Sequence, residues 1–138
     1  MSVEQIVIGS SDALASVASV EAVAGAGLKG DRHYRASGQR PGGAITLIEA
    51  EEAEAVGMTA VELRRQIVVR GIRLNDLVGK RFTVGEVECV GVELCEPCAH
   101  LESLTRPGIM RELVHHAGLN ADILTSGTIA VGDPVVVA

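Results

Sequence analysis

Apolar and polar residues alternate along several short stretches of this chain, and a period of two is the pattern of a strand with one buried face. Residues 3–8 show it in part. Residues 17–24 show it again, with Ser19, Glu21 and Val23 opposite Val20 and Ala22. Both stretches are predicted strands. Residues 25–43, GAGLKGDRHYRASGQRPGG, keep no period and are rich in Gly and Arg, which predicts a long loop of the kind that carries function in compact domains. Residues 44–48 are β-branched enough for another strand. The next stretch, EAEEAEAVG, changes to acidic helix formers and stops at Gly57. Thr59 is placed to cap a second short helix, TAVELRR, with Glu62 as its capping-box partner. The chain then hands over to a strand at 67–69 and a turn at 74–79.

The second half repeats one signature: RFTVGEVECVGVEL (81–94) and GTIAVGDPVVVA (127–138) each flank a Gly-acid pair with alternating apolar runs. Glycine adopts the positive φ that tight hairpins need, so both predict hairpins. Between them, Pro107 near a helix start and Ile109, Met110, Leu113, Val114 and Ala117 on one face predict an amphipathic helix ending near Gly118. The sum is a mainly β domain of the α+β kind, a small barrel or closed sheet with a few short helices. It reads as one domain over 1–138, without repeat, linker or low-complexity tail.

Composition narrows the function classes. Apolar residues make up 47% of the chain, yet Tyr34 and Phe82 are the only aromatics. The core must therefore be aliphatic, and the stacking platform of single-strand binders is missing. A net charge of −6 repels a phosphate backbone, so nucleic acid is not an expected partner. The charge is uneven: residues 29–81 hold 10 of the 12 Lys and Arg against 7 acids, a local basic surface for a small anion. Ten of the twelve are arginine, whose planar fork suits phosphate and carboxylate. The start MSVEQ lacks a basic n-region, and the stretch 13–26 is broken by Ser and Glu21, so neither a signal peptide nor a membrane helix is expected. Three cysteines, an odd number, without a secretion signal point to a reducing cytoplasm.

The chemistry concentrates in LCEPCAHLE, 94–102. Cys95 and Cys98 flank Pro97 where a strand ends. A helical turn opening at Cys98 would favour its thiolate, the reactive form. Core packing, a metal clip, a redox pair and a nucleophile all stay open. A structural zinc site needs four ligands, and His115 or His116 would have to complete the single CxxC. A thioredoxin-type pair needs βαβ units that this β-rich pattern does not offer. GLKGDRHY, 27–34, is neither a Walker A loop nor a dinucleotide fingerprint, and Ser10-Ser11 is no nucleophile elbow. His33 and His100 each adjoin a distinctive loop and can exchange protons near neutral pH. Glu49, Glu51, Glu52 and Glu54 read as a solvated acidic face.

GLKGDRH, ITLIE, RRQIVVRGIRLNDLVGKRF, LCEPCAHLE and GTIAVGDPV occur in an order that resembles the MOSC domain, the module named for the C-terminal part of molybdenum-cofactor sulfurases. The resemblance runs from about residue 20 to the C-terminus, and suggests a small stand-alone bacterial-type member. It implies a β-barrel-like fold with Cys98 at the functional centre, as a molybdenum ligand or a sulfur carrier; a thiolate suits either, being soft and nucleophilic. Cys95 and His100 would be accessory, Cys95 as a structural or resolving thiol. The molybdenum cofactor, a pterin dithiolene bearing a phosphate, would be met by Arg65, Gln66, Arg70, Lys29, Asp31, Arg32 and His33. Many members have Arg-Asn where this chain has Arg65-Gln66.

Two functions follow from that resemblance. One is reduction of N-hydroxylated or N-oxide small molecules with electrons from an external reductase, because no flavin, haem or iron–sulfur motif is visible. The other is sulfur carriage from a cysteine desulfurase as a Cys98 persulfide. A zinc-stabilised binding module is a third reading. Pyridoxal phosphate is associated with the wider family only, through the aminotransferase-like domain this chain lacks. Exposed strand edges leave room for a homodimer.

Overall fold

A computed structural model describes residues 1–95, 108 and 116–138. Along them the chain runs through β1 (Ser2–Ser10), β2 (Ala13–Val17), β3 (Ser19–Val23), β4 (Gly27–Leu28), β5 (Ile45–Glu49), α1 (Ala50–Ala55), α2 (Ala60–Leu63) and β6 (Ile67–Arg70). A 3-10 turn over Leu74–Leu77 leads to β7 (Arg81–Val84), β8 (Val87–Leu94), β9 (Leu119–Ile123), β10 (Gly127–Ala130) and β11 (Val135–Val137). The mainly β, α+β expectation holds.

Eight strands form a mixed sheet in the order β11-β7-β8-β9-β5-β6-β1-β2, and β10-β3-β4 form a second, smaller sheet. The β5–β6 pair is parallel; the other strand pairs are antiparallel. The large sheet is not closed into a barrel. It curls toward itself, because the Val3 N–H donates to Asp133 O (2.9 Å) and the Gly132 N–H to Val3 O (2.8 Å), tying the start of β1 to the turn before β11.

Period-two alternation sorts the side chains into two cores. Ile6, Leu47, Ile67 and Leu119 face the small sheet and pack with Val20, Leu28, Ile129 and Phe82. Val7, Ile48 and Val68, one residue on, face the other way and are covered by Ala53, Met58, Ala60 and Leu63 of the helical segment. The capping box is as the sequence predicts: Thr59 Oγ1 accepts from the Glu62 N–H (3.2 Å), and Glu62 Oε1 accepts from the Thr59 N–H (2.9 Å).

Two expectations are corrected, and the turn expected at 74–79 is present. The stretch 17–24 is the end of one strand and most of another: β2 pairs with β1 while β3 pairs with β10, and Ala18 lies between them. The segment 127–138 turns at Gly132 as expected but is not a hairpin, since β10 joins β3 and β11 joins β7. Here Asp133 Oδ2 accepts from the Ala130 N–H (2.9 Å), and Pro134 has no N–H to offer a ladder. The turn at 74–79 is largely the 3-10 turn, whose Leu74 and Leu77 are buried. The hairpin at 81–94 is present as β7–β8 around Gly85-Glu86. The helix expected after Pro107 falls almost wholly outside the described residues.

Candidate functional site

The loop after β4 turns around one carboxylate. Asp31 has a fully buried side chain, and a buried carboxylate needs donors to replace water. It finds four. Oδ2 accepts from the Gln66 side-chain amide (2.6 Å) and from the His33 N–H two residues on (3.1 Å), an Asx turn. Oδ1 accepts from the Gly9 N–H (3.2 Å) and lies 3.5 Å from Arg32 Nη1. The Arg32 N–H also donates to Gly9 O (2.9 Å), so the loop is pinned to the β1–β2 hairpin. Only glycine fits at position 9: its φ is +139°, and a Cβ would sit 2.2 Å from Ala13 O.

Gln66, just before β6, is 2% exposed. Its Oε1 accepts from the Thr46 N–H (2.8 Å) of β5, and its own N–H donates to Thr46 Oγ1 (3.0 Å). The amide is therefore a bridge between β5, β6 and the Asp31 loop, and both of its ends are used inside the protein.

Arginines gather around this bridge. Arg64 closes α2 in the left-handed conformation (φ 60°), the sole non-glycine residue with positive φ among the described residues. Such a residue costs roughly 1–3 kcal/mol and persists where its surroundings require it. Arg64 donates to Ser11 O (3.0 Å), and Arg32 Nη2 approaches Arg64 O (3.4 Å). Arg65 Nε donates to Ala117 O (2.8 Å) and Nη1 to Leu63 O (3.3 Å). Burial lowers the Arg32 pKa, Asp31 opposes that shift, and the charges of Arg64 and Arg65 add to the lowering. Burial and the Arg32 charge lead in lowering the His33 pKa; Asp31 opposes, and Arg35 and Arg40 lower it further. Arg32 thus sits against the internally bonded carboxylate, and Arg64 and Arg65 lie near enough for their charges to act on Arg32, a concentration of positive charge that attracts an anion.

Cys95 follows β8, is half-buried, and its N–H donates to Gly118 O (2.8 Å), next to the Ala117 carbonyl that holds Arg65. At Gly118 the φ is +108° and a Cβ would come within 2.0 Å of Leu47 O, so the strands meet there only because the residue is glycine. Cys98 and His100 lie outside the described residues, as does His115. Cys89 is buried, and burial pushes its thiol up to about 12, so it is not a nucleophile at neutral pH.

The structure brings together Asp31, Arg32, His33, Arg65 and Gln66, and separates the other two candidates from them. Arg70 pairs with Glu4 and with Glu54 (2.9 Å) on the surface, and Lys29 pairs with Glu21 (3.3 Å) in the open. Arg64 and Thr46 were not singled out from the sequence; the Arg64-Arg65 doublet was visible, but nothing local told that Arg64 takes the left-handed turn. His116 Nδ1 lies 3.2 Å from Glu52. Among the described residues no three His, Cys, Asp or Glu are grouped to hold a metal, and no helix is long and apolar enough to cross a membrane.

Solved structures of similar fold exist. The YuaD protein from Bacillus subtilis matches with a TM-score of 0.80 at 18% identity, over 98% of this chain and 93% of that one. YiiM from Geobacillus stearothermophilus matches with a TM-score of 0.73 at 18% identity, over 99% of this chain and 74% of that one. YiiM from Escherichia coli matches with a TM-score of 0.73 at 16% identity, over the whole of this chain and 70% of that one. No curated protein matches in sequence. The pattern described as MOSC domain matches residues 39–136, which take in Arg64, Arg65, Gln66 and both cysteines of the CxxC. The chain belongs to the MOSC domain family.

Proposed function

We propose that this protein holds the molybdenum cofactor with Cys98 as the molybdenum ligand and reduces N-hydroxylated or N-oxide small molecules, fed with electrons by a separate reductase. The observation that carries the reading is the grouping of Arg32 with Arg64 and Arg65, whose charges act on Arg32, beside an Asp31 whose charge is already satisfied within the fold. A phosphate-bearing pterin fits such a donor set, since guanidinium forks bind phosphate bidentately. Arg32, Arg64, Arg65 and the His33 imidazole would hold the anionic group. Asp31 and Gln66 act one step back, fixing the loop and the start of β6. Lys29 and Arg70, engaged with surface carboxylates, take no part.

When bound, the cofactor supplies two-electron redox chemistry. In an amidoxime the N–O bond breaks, two electrons and two protons enter, and an amidine and water leave. Arg32 and His33 border the site, and His33, its pKa lowered by burial and by the Arg32 charge, is neutral near pH 7 and able to move a proton. Loaded protein with reduced viologen as electron source is expected to convert an amidoxime to the amidine, and Cys98→Ser to abolish it. Absence of turnover by molybdenum-loaded wild type would overturn the reading.

A second reading is favoured by Cys95, whose main chain is fixed by Gly118 three residues before Cys98. In it, the Cys98 thiolate attacks the outer sulfur of a desulfurase persulfide and the desulfurase thiolate leaves; the Cys95 thiolate would then attack the inner sulfur on Cys98, forming a Cys95–Cys98 disulfide as the outer sulfur leaves as hydrosulfide to the acceptor. Mass spectrometry after incubation with a desulfurase and cysteine distinguishes the two.

A further inference from the structure

The loop over residues 29–43 is long and nearly without regular structure, yet it is held at many points. The Gln39 N–H donates to Gly25 O (2.7 Å) and its side-chain amide to Ala26 O (3.3 Å) and His33 O. The Arg35 N–H donates to Ala26 O (3.0 Å), and the Gly42 N–H to the Asp122 carboxylate (2.8 Å). This bracing presents two exposed arginines, Arg35 and Arg40, beside His33, whose pKa both lower.

Four exposed cations, Arg35, Arg40, Arg73 and Lys80, face no carboxylate among the described residues, and of these only Arg35 and Arg40 act on His33. Lys29, Arg70 and Arg81 each face a carboxylate, at 3.3 Å from Glu21, 2.9 Å from Glu54 and 3.1 Å from Glu88. Among the described residues, neither Arg35 nor Arg40 has one, although the chain carries 18 acids. Arg35 Nη1 donates instead to Arg32 O (2.9 Å) and Tyr34 O (3.0 Å), which hold the side chain in place without neutralising it. Two unneutralised arginines on the rim of the site, Arg35 held by its carbonyl contacts and Arg40 without a carboxylate among the described residues, suit a partner of opposite charge.

We infer that Arg35 and Arg40 form the docking surface for an acidic face of the electron-donating protein, which they bring up against the His33 edge of the site. This rests on the reductive reading above. A protein partner is favoured over nucleic acid by the net charge of −6 and the near-absence of aromatics. Two exposed arginines hold a small anion weakly, whereas a carboxylate-rich protein surface engages both at once.

The test is a binding titration of the full-length protein with an acidic plant-type ferredoxin at several salt concentrations. Arg35→Ala/Arg40→Ala is expected to weaken binding at least about tenfold and to flatten its salt dependence, while Arg35→Lys/Arg40→Lys retains most of both. Thermal melts of both variants establish that they fold. Viologen-driven turnover of an amidoxime, measured in parallel, does not pass through this surface; it persists in both variants, and any change in the alanine variant is confined to the pH dependence set by His33. Equal ferredoxin binding by wild type and the alanine variant, no salt-dependent binding to wild type, or tighter binding of a single-stranded RNA oligomer that the same variant loses, would overturn the inference. Loss of viologen turnover in wild type would instead overturn the reductive reading, and the titration would still decide whether an acidic protein docks.

Discussion

Two corners of this sheet each bury a carboxylate, and they treat it in opposite ways. Asp31 and Glu49 are equally hidden, at 7% exposure. Asp31 is met by two backbone N–H groups, the Gln66 amide and the Arg32 guanidinium. Glu49, at the C-terminal end of β5, accepts from the Leu74 N–H alone (3.2 Å) and shares a cleft of about 290 Å³ with Glu51, Glu52, Gly71, Ile72 and Arg73. Burial pushes the Glu49 carboxyl up, the Leu74 hydrogen bond pulls it back in part, and Glu52 adds to the rise. In the first corner the protein replaces the water around a charge and uses it to order arginines; in the second the charge stays poorly compensated among like charges. The function proposed above puts an anionic cofactor in the first.

The sharpest way to break this contrast is Asp31→Ala. It strands the Gly9 and His33 N–H groups and the Gln66 amide and leaves Arg32 without its counter-ion, an expected loss of roughly 3–5 kcal/mol in denaturant unfolding. A loss no greater than that of a surface substitution would mean that the carboxylate does not organise the loop.

Glu49→Gln should act in the opposite direction. The raised pKa of Glu49 means that its contribution is fully present below the unfolded pKa and is lost as pH rises through the folded one. Gln keeps the acceptor for the Leu74 N–H without titrating. The stability of the variant relative to wild type should therefore increase as pH is taken from 4 to 7. Melting temperatures across that range read the sign.

A smaller effect is expected at His33. Its pKa is lowered from 6.5, so its contribution is present above that value and is lost as pH falls through the folded pKa. His33→Gln should make the melting temperature less sensitive to acidification below about pH 6.5. An unchanged slope would show that neither burial nor the surrounding arginines lower its pKa.

Local chemistry made much of this legible in the sequence. Alternation marked β1 and the β7–β8 hairpin, and short β-branched runs marked β5 and β6; Thr59 and Glu62 marked the capping box; the aperiodic Gly/Arg stretch marked the long loop. What escaped depends on distant residues. β2 carries Ala13, Ala15 and Ser16 on a mostly exposed edge, so no buried face imposed a period. β9, LNADI, does alternate in burial, but five residues after a glycine gave too short a signal to stand out. The repeated Gly-acid turn was read as a second hairpin because local pattern cannot tell a strand's neighbour, and β10 and β11 find theirs in different sheets.

The site was legible in parts. Asp31, Arg32, His33, Arg65 and Gln66 were picked as one group, and the fold brings them together across 35 residues of chain. Their roles were readable in part: Asp31 was expected to shape the site and braces its loop, whereas Gln66, expected to contact the cofactor with its amide, is an internal brace as well. Arg70 looked like its neighbour Arg65 in sequence, yet β6 carries it to the opposite end, where Glu4 and Glu54 take it up. Arg64 was missed because a left-handed helix end is ordinarily a glycine.

The most direct measurement is molybdenum per chain for protein made in a host that synthesises the cofactor, in wild type, Arg65→Ala and Cys98→Ser. Near-stoichiometric molybdenum in wild type, reduced in Arg65→Ala and absent in Cys98→Ser, is the expected result. No molybdenum in wild type, or equal amounts in all three, would contradict the account.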